Sequence, residues 1–230
     1  MITLALDTSA RGGSCAVLRD DLLLADLVGD RSRSQGERLP AELMAVLDRA
    51  AVPLARVDVF AVAVGPGSFT GVRVGIATMQ GLALAAGRPL VGVSVLDALA
   101  RLAVSTTRAD VRVATWIDAW RGEVYAGLYE RGQLLGDVTV ERPAHILPRL
   151  MDAHTLFTGD GAVLHREAIA AAMGPFGAFA AVAQPPVAAT IGLIAHARVR
   201  AGHCPGPEAV QALYVRRPDV ELVRERDGGR

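Results

Sequence analysis

The 230-residue chain is 51% hydrophobic and 21% charged, a balance that suits a folded protein with one large core or two small ones and leaves little room for a long disordered segment. Its formal net charge of +0 gives no electrostatic case for nucleic acid or an anionic membrane as sole partner, though it leaves a local arginine patch open. All 24 basic residues are arginine, and the lack of lysine excludes Schiff-base, Walker-lysine and lysine-base chemistry.

In chain order, "ITLALD", "SCAVL" and "LLLADLV" read as three short strands joined by turns. A helix follows over Gly36 to Ala51, with Leu39, Leu43, Val46, Leu47 and Ala50 on one apolar face. Val57 to Val64 is a buried strand that runs into the loop "GPGSFTG" and a helix ending near Gly87. Then come a strand, "PLVGVS", and a helix, "VLDALARLAV". After "STTRAD" the order restarts: "VRVATWID", "EVYAGLYE" and "QLLGDVTV" as strands, "PAHILPRLMD" as a helix, "HTLFTGD" as a strand, then helices over Gly161 to Met173 and Ala188 to Ala201. Two β-β-β-α-β-α units in tandem predict an N-terminal lobe over 1–105 and a C-terminal lobe over 106–213. The helix near 188–201 is free to pack back on the first lobe. The tail 214–230 reads as a solvated terminus.

The glycine loop fails three chemistries on spacing. A nucleophile elbow needs glycine two residues either side of Ser68, but Pro66 and Thr70 stand there. A Walker loop needs lysine, and a dinucleotide fingerprint needs its third glycine three residues after the second, whereas Gly71 follows Gly67 by four. Two readings remain: Ser68 or Thr70 caps the following helix, or the loop's N–H groups hold an anion. Within that helix Gly71, Gly75, Thr78, Gly81 and Ala85 allow close approach by its own sheet or by another chain.

Asp7-Thr8-Ser9 closes the first strand and Asp118 closes its counterpart in the second unit. Two carboxylates facing one cleft would suit a nucleotide with hydrated Mg²⁺; each alone reads as a turn residue. His145, His154, His165, His196 and His203 are never three or four residues apart, so no HxxxH or HExxH pair is available for a metal. Cys15 and Cys204 form no CxxC pattern. The start "MITLALDTSARGG" lacks a basic n-region, and the apolar stretch near Val74 to Gly87 is short and glycine-rich, so a cytoplasmic protein with no membrane span is expected.

The blocks "LALDTSARGGSCAVL", "GPGSFTGVRVGIATMQGLALA", "GVSVLDALA", "WIDAWRGEVYAGLY" and "ALYVRRP" together resemble the TsaB (YeaZ) family of tRNA threonylcarbamoyladenosine biosynthesis proteins, over most of the chain. The resemblance implies an α/β fold of two ribonuclease-H-like lobes, that of the actin/Hsp70/sugar-kinase (ASKHA) superfamily. It implies a non-catalytic subunit that activates a paralogous TsaD-type transferase, which moves a threonylcarbamoyl group to N6 of adenosine 37 in tRNAs reading ANN codons. A TsaE-type ATPase joins, ATP and Mg are used by the complex, and tRNA is met mainly through it. No catalytic residue, metal or bound cofactor is expected in this chain. The family's pairing surface, which also makes homodimers when the partner is missing, maps onto the first helix (Leu39, Leu43) and the helix after Gly71 (Arg73, Gly75, Met79, Leu82). A vestigial nucleotide site would use Asp7, Thr8, Ser9 and Asp118. Relatives often carry a histidine-threonine-glutamine run where this chain has "SQGERLP", which puts a polar role for Ser34 to Glu37 in question. The alternative is a sugar- or acetate-kinase-like phosphotransferase using Asp7 and Asp118. A metallopeptidase, an older description of relatives, lacks ligands here.

Overall fold

The computed structural model describes residues 1–105, 111–182 and 185–215; most of the expected tail, including Arg216 and Arg217, lies outside them. Two sheets repeat one plan. In the first, β1 (Ile2–Asp7), β2 (Ser14–Arg19) and β3 (Leu22–Val28) form an antiparallel meander, and β4 (Val59–Ala63) and β5 (Leu90–Val93) add in parallel to give the order β3-β2-β1-β4-β5. Between them run α1 (Gln35–Arg49) and α2 (Phe69–Ala86), and α3 (Val95–Ser105) follows β5.

The second sheet has the order β11-β10-β6-β7-β8, with β9 also on β7. It is built from β6 (Arg112–Asp118), β7 (Val124–Glu130), β8 (Gln133–Leu134), β9 (Thr139–Glu141), β10 (Thr155–Thr158) and β11 (Gly177–Phe179). Its helices are α4 (Pro143–Ile146), α5 (Asp160–Leu164) and α6 (Arg166–Met173), and α7 (Ala188–Arg200) ends the series. As β1 does in the first sheet, β6 pairs antiparallel with the following strand and parallel with β10.

Alternation along the strands sets the layers. Leu4, Leu6, Val17, Phe60 and Val62 face α1 and α2, meeting Leu39, Leu43, Val46, Ile76 and Met79. Ala5, Ala16, Leu18, Ala61 and Val91 face the other way, onto α3 and α7 and, beyond them, Val113, Ile117 and Leu156 of the second sheet. The far side of that sheet carries Trp116 and Phe157 under Ile169 and Met173. α3 and α7 are thus shared between the lobes, and α7 packs on the first sheet, where a Cβ on Gly192 would meet Leu18 and Ala5. A polar lock joins the same layers: Tyr129 of β7 donates to Asp97 of α3 at 2.8 Å, while Arg198 of α7 donates to Asp97 (3.1 Å) and to the Gly92 carbonyl (2.7 Å).

The second unit departs from its expected elements in three places. "QLLGDVTV" divides into β8 and β9, with Gly136 at φ 71 between them. "PAHILPRLMD" gives only the single turn of α4 and a 3-10 turn, Leu147–Arg149, because Pro148 cannot donate to a continuing helix. The helix over Gly161 to Met173 breaks at His165 (φ −105, ψ 21): Gly161 presses α5 onto the backbone of Ile117, while α6 turns to bury Ile169 and Met173. β11 is an edge strand with no forecast.

α2 is the one helix among the described residues long and apolar enough to cross a membrane, at a mean hydropathy of 1.2. Gly71, Val72, Gly75, Ile76, Met79 and Ala83 are its buried residues, facing the first sheet. Residues 207–213 return to this helix and to the end of β4: Gln80 donates to the carbonyls of Pro207 and Val210, both at 3.0 Å, and the Leu213 N–H donates to the Val64 carbonyl at 2.8 Å.

Candidate functional site

The parallel strands of both sheets deliver their C-terminal ends to one cleft between the lobes, where α/β folds place ligands. The cleft has a volume of about 660 Å³ and is walled by Ser9, Ala10 and Arg11 after β1, Arg31 to Gly36 leading into α1, and Gly67, Ser68, Thr70 and Gly71 at the start of α2. Ile117, Asp118, Trp120 and Asp160 close it from the second lobe.

Each lobe builds its wall with the same device. The Ser9 N–H donates to Asp7 Oδ1 at 2.8 Å, and the Trp120 N–H donates to Asp118 Oδ1 at 2.9 Å. Both aspartates therefore close Asx turns at the ends of equivalent strands. Asp7 is buried and lines an adjoining cavity of about 70 Å³, which shares Ser9, Ala10, Ile117 and Asp160 with the cleft. Burial pushes its carboxyl above the ordinary aspartate range, against the hydrogen bonds from Ser9. Asp118 stays in the large cleft, where its own N–H donates to Asp160 Oδ1 at 3.0 Å.

Asp118 faces the large cleft and Asp7 the adjoining cavity, and among the described residues no three His, Cys, Asp or Glu gather in one group. Thr8 is corrected: it is fully buried, with Oγ1 unpartnered among the described residues and pressed against Gly75. Ser9 is the member of the triplet that reaches the large cleft.

The glycine loop is a packing junction. The Ser68 N–H donates to the Ser9 carbonyl at 2.7 Å, and Ser68 Oγ accepts from the Gly71 N–H at 3.2 Å, as a helix cap does. Gly67, at φ 153, has no room for a side chain, since a Cβ would lie 2.6 Å from the Ser9 carbonyl oxygen. Two of the N–H groups that could have cradled an anion are therefore spent inside the fold.

The first turns of α1 hold the same cleft loop from the other side. Gln35 Nε2 donates to the carbonyls of Thr8 (2.8 Å) and Ala10 (3.2 Å). Arg38, only 2% exposed, donates to the Gly12 and Arg11 carbonyls and pairs with Glu42. Glu37 accepts from the Ser34 N–H at 3.0 Å and from its hydroxyl at 2.6 Å. "SQGERLP" therefore has a polar role of its own, closing the helix start and anchoring the loop.

A second feature lies on the opposite face of α1. Between α1 and α2 runs an apolar groove of about 400 Å³ lined by Pro40, Leu43, Met44, Ala77, Gly81 and Leu82, among others. Of the residues expected to face a partner, Leu43 and Leu82 line this groove. Leu39, Gly75 and Met79 are buried in the lobe's own core and are corrected to packing residues, because their helix face is the one that covers the sheet. Arg73 is exposed but engaged: its guanidinium stacks on Phe69 at 3.6 Å, and its Nε donates to the Tyr214 hydroxyl at 2.9 Å. Gly81 is one of the small residues expected to allow close approach, whereas Pro40, Met44 and Ala77 went unforeseen; their signal is a second pair of i, i+4 positions, one on each helix.

Known proteins share this arrangement. The family model described as "TsaD: tRNA N6-adenosine threonylcarbamoyltransferase" matches residues 30–174. The chain is 30% identical to the tRNA threonylcarbamoyladenosine biosynthesis protein TsaB of Bacillus subtilis (strain 168), over 80% of this chain and 82% of that protein. It is 38% identical to TsaB of Escherichia coli (strain K12), over 58% of this chain but only 57% of that one. The solved structure of YeaZ from Pseudomonas aeruginosa superposes with a TM-score of 0.77 at 33% identity, covering 93% of this chain and 99% of that chain. A ROK hexokinase from Thermus thermophilus, at 14% identity, gives a TM-score of 0.55 over 88% of this chain and 100% of that chain, a likeness of fold alone. The two-lobed architecture is that of the actin/Hsp70/sugar-kinase superfamily, and the chain belongs to the TsaB (YeaZ) family of tRNA threonylcarbamoyladenosine biosynthesis proteins, relatives of the TsaD transferases.

Proposed function

We propose that this chain is a non-catalytic subunit that pairs with and activates a TsaD-type transferase, which places a threonylcarbamoyl group on N6 of adenosine 37 in tRNAs reading ANN codons. The reading places it in the cytoplasm, with a TsaE-type ATPase joining and with ATP and Mg consumed by the complex. The observation that carries it is the α1–α2 groove. Met44 is 50% exposed and lines the groove with the exposed Ala77 and Gly81, so an apolar face remains uncovered on the lobe. Gly81 adds to the argument: a Cβ there would touch nothing within 4 Å, so the fold itself does not require glycine. A glycine on an exposed helix face costs about 1 kcal/mol relative to alanine; close approach of a partner's helix gives it a use. The same surface would make homodimers when the transferase is missing.

Reconstitution tests the reading. The chain, a TsaD-type transferase, a TsaE-type ATPase, ATP, Mg²⁺, threonine, bicarbonate and tRNA are combined, with and without this protein. Modified adenosine should form only when it is present, and the chain alone should produce none. Met44→Glu and Gly81→Glu should each fold, since neither side chain is needed by the core, yet weaken co-purification with the transferase about tenfold or more. Full modification without the chain would refute the proposal.

A further inference from the structure

We propose that the mouth of the interlobe cleft binds a single-stranded RNA segment, with one base stacked on Trp120 and backbone phosphates held by Arg11 and Arg33. Trp120 is 58% exposed although it is among the largest apolar side chains of the protein. Its backbone lies in the left-handed region at φ 58, followed by Arg121 at φ 57 and Gly122 at φ 74. A bulky residue pays a steric penalty there. The turn holds it in place nonetheless: the Trp120 N–H is bound by Asp118 and the Glu123 N–H donates to the Trp120 carbonyl at 3.0 Å. Such strain, kept at the rim of a cleft to display an indole, points to a contact made from that position.

Across the cleft, Arg11 and Arg33 are exposed and line the same cavity from two separate loops. An aromatic platform beside a split pair of guanidinium groups is the arrangement that grips an unpaired strand, since a duplex hides its base faces. A free nucleoside triphosphate suits the cleft less well. The cleft is lined by Asp118 and Asp160, carboxylates that repel dense phosphate charge, and Asp160 also lines the adjoining cavity that holds Asp7. A phosphodiester, with one charge per nucleotide, meets the arginines at the rim without approaching those acids.

This inference deepens the proposed role and rests on it for the choice of RNA as the polymer. The full chain, alone and paired with the transferase, is titrated with a short single-stranded oligoribonucleotide, the matching duplex, and ATP with and without Mg²⁺. The two tryptophans make the signal specific, because Trp116 is 1% exposed and only Trp120 can be quenched by stacking. Single-stranded RNA should quench that emission, and a roughly fourfold rise in salt should weaken binding about sevenfold if two phosphates are neutralised. Trp120→Ala should weaken binding about tenfold or more, with Trp120→Phe largely retained. Arg11→Ala and Arg33→Ala should each lower the salt slope by about 0.7. Trp120→Gly should bind as poorly as Trp120→Ala while melting at or above the parent temperature, since glycine relieves the turn.

Absence of RNA binding in both chain and complex, or binding that ignores Trp120 and both arginines, overturns the inference. Displacement of RNA by ATP at equal or lower concentration would assign the cleft to a free nucleotide and overturn it too. Reconstituted modification in the same samples keeps the readings apart: activity with no RNA binding at the cleft refutes this inference alone, whereas RNA binding without any dependence of modification on the chain refutes the proposed role.

Discussion

Removing the guanidinium of Arg38 should loosen the cleft loop as well as destabilise the fold. The residue is 2% exposed and its ion-pair partner Glu42 only 14%, so Arg38→Ala leaves a mostly buried carboxylate without its cation and the carbonyls of Arg11 and Gly12 without that donor. Breaking a buried pair by deleting one partner costs about 3 to 5 kcal/mol. Two features favour the lower end. Glu42 still accepts from the Asp30 N–H at 3.2 Å, and Arg38 Nε has no partner among the described residues, so its loss exposes no bond there. At about 3 kcal/mol, and about 2 to 4 °C per kcal/mol for a protein of this size, the melting temperature should fall by about 6 to 12 °C. Hydrogen exchange supplies the local test: amides of residues 8–13 and 29–31 should exchange faster in the variant, with α6 and β10 changed only by the global loss. A variant within about 1 kcal/mol of the parent, or one whose cleft loop stays as protected as before, would refute the view that Arg38 is the strut of this loop.

Two further outcomes follow from the same packing. Asp7→Asn keeps an acceptor for the Ser9 N–H and removes a carboxylate whose folded pKa is raised by burial. Because the folded state then holds its proton more tightly than the unfolded chain, ionising Asp7 opposes folding. The asparagine variant should therefore be the more stable near neutrality. Its advantage should shrink as pH falls through the raised folded pKa and vanish below the ordinary value near about 4; denaturant midpoints across pH read this, and a constant difference would count against a buried, strained carboxylate. Gly75→Ala trades a helix-propensity gain of about 1 kcal/mol against overpacking of about 1 to 3 kcal/mol, because its Cβ is driven into Thr8 Oγ1. The change should be neutral to destabilising in the parent yet stabilising in a Thr8→Ala background; additivity of the two substitutions in a denaturant cycle would refute the contact.

Much of the fold was legible because its signals are local. Period-two apolar runs with turn residues between them gave β1, β2, β3, β6 and β7, and the repeated order of strands and helices gave the second lobe. The misreadings lie where local signal and tertiary context part. "QLLGDVTV" has strand composition throughout, but a chain leaving the edge of β7 must bend before it can pair again, and Gly136 supplies the bend. The helical composition over Gly161 to Met173 is genuine on both sides of His165. Only the position of β6, against which Gly161 must fit, forces two helices from one. β11, three residues on a sheet edge, has too short a pattern to read.

The functional surfaces were harder, for a physical reason visible in α1 and α2. An apolar stripe reports that a helix face will be covered, not what covers it. Leu39, Gly75 and Met79 carry the strongest periodic signal because a sheet demands a wide, continuous stripe, so the residues most conspicuous in the sequence are those spent on the lobe's own core. A face reserved for another molecule must also survive in water until that molecule arrives, and it is therefore built of sparser, smaller residues: Pro40, Met44, Ala77, Gly81. The cleft shows the same asymmetry. Asp7 and Asp118 stand out by their equivalent places, and that equivalence is real, but its shared product is a turn. The side chains left facing the cavity, Arg11, Arg33 and Trp120, sit in irregular loops where no period marks them, and they gain meaning only when three separated segments are brought to one rim. The contrast between Gly75 and Gly81, six residues apart on one helix, is the sharpest case. Both read as small-residue positions, yet the first admits no methyl group and the second meets nothing at all, so the first belongs to folding and only the second is left for a partner.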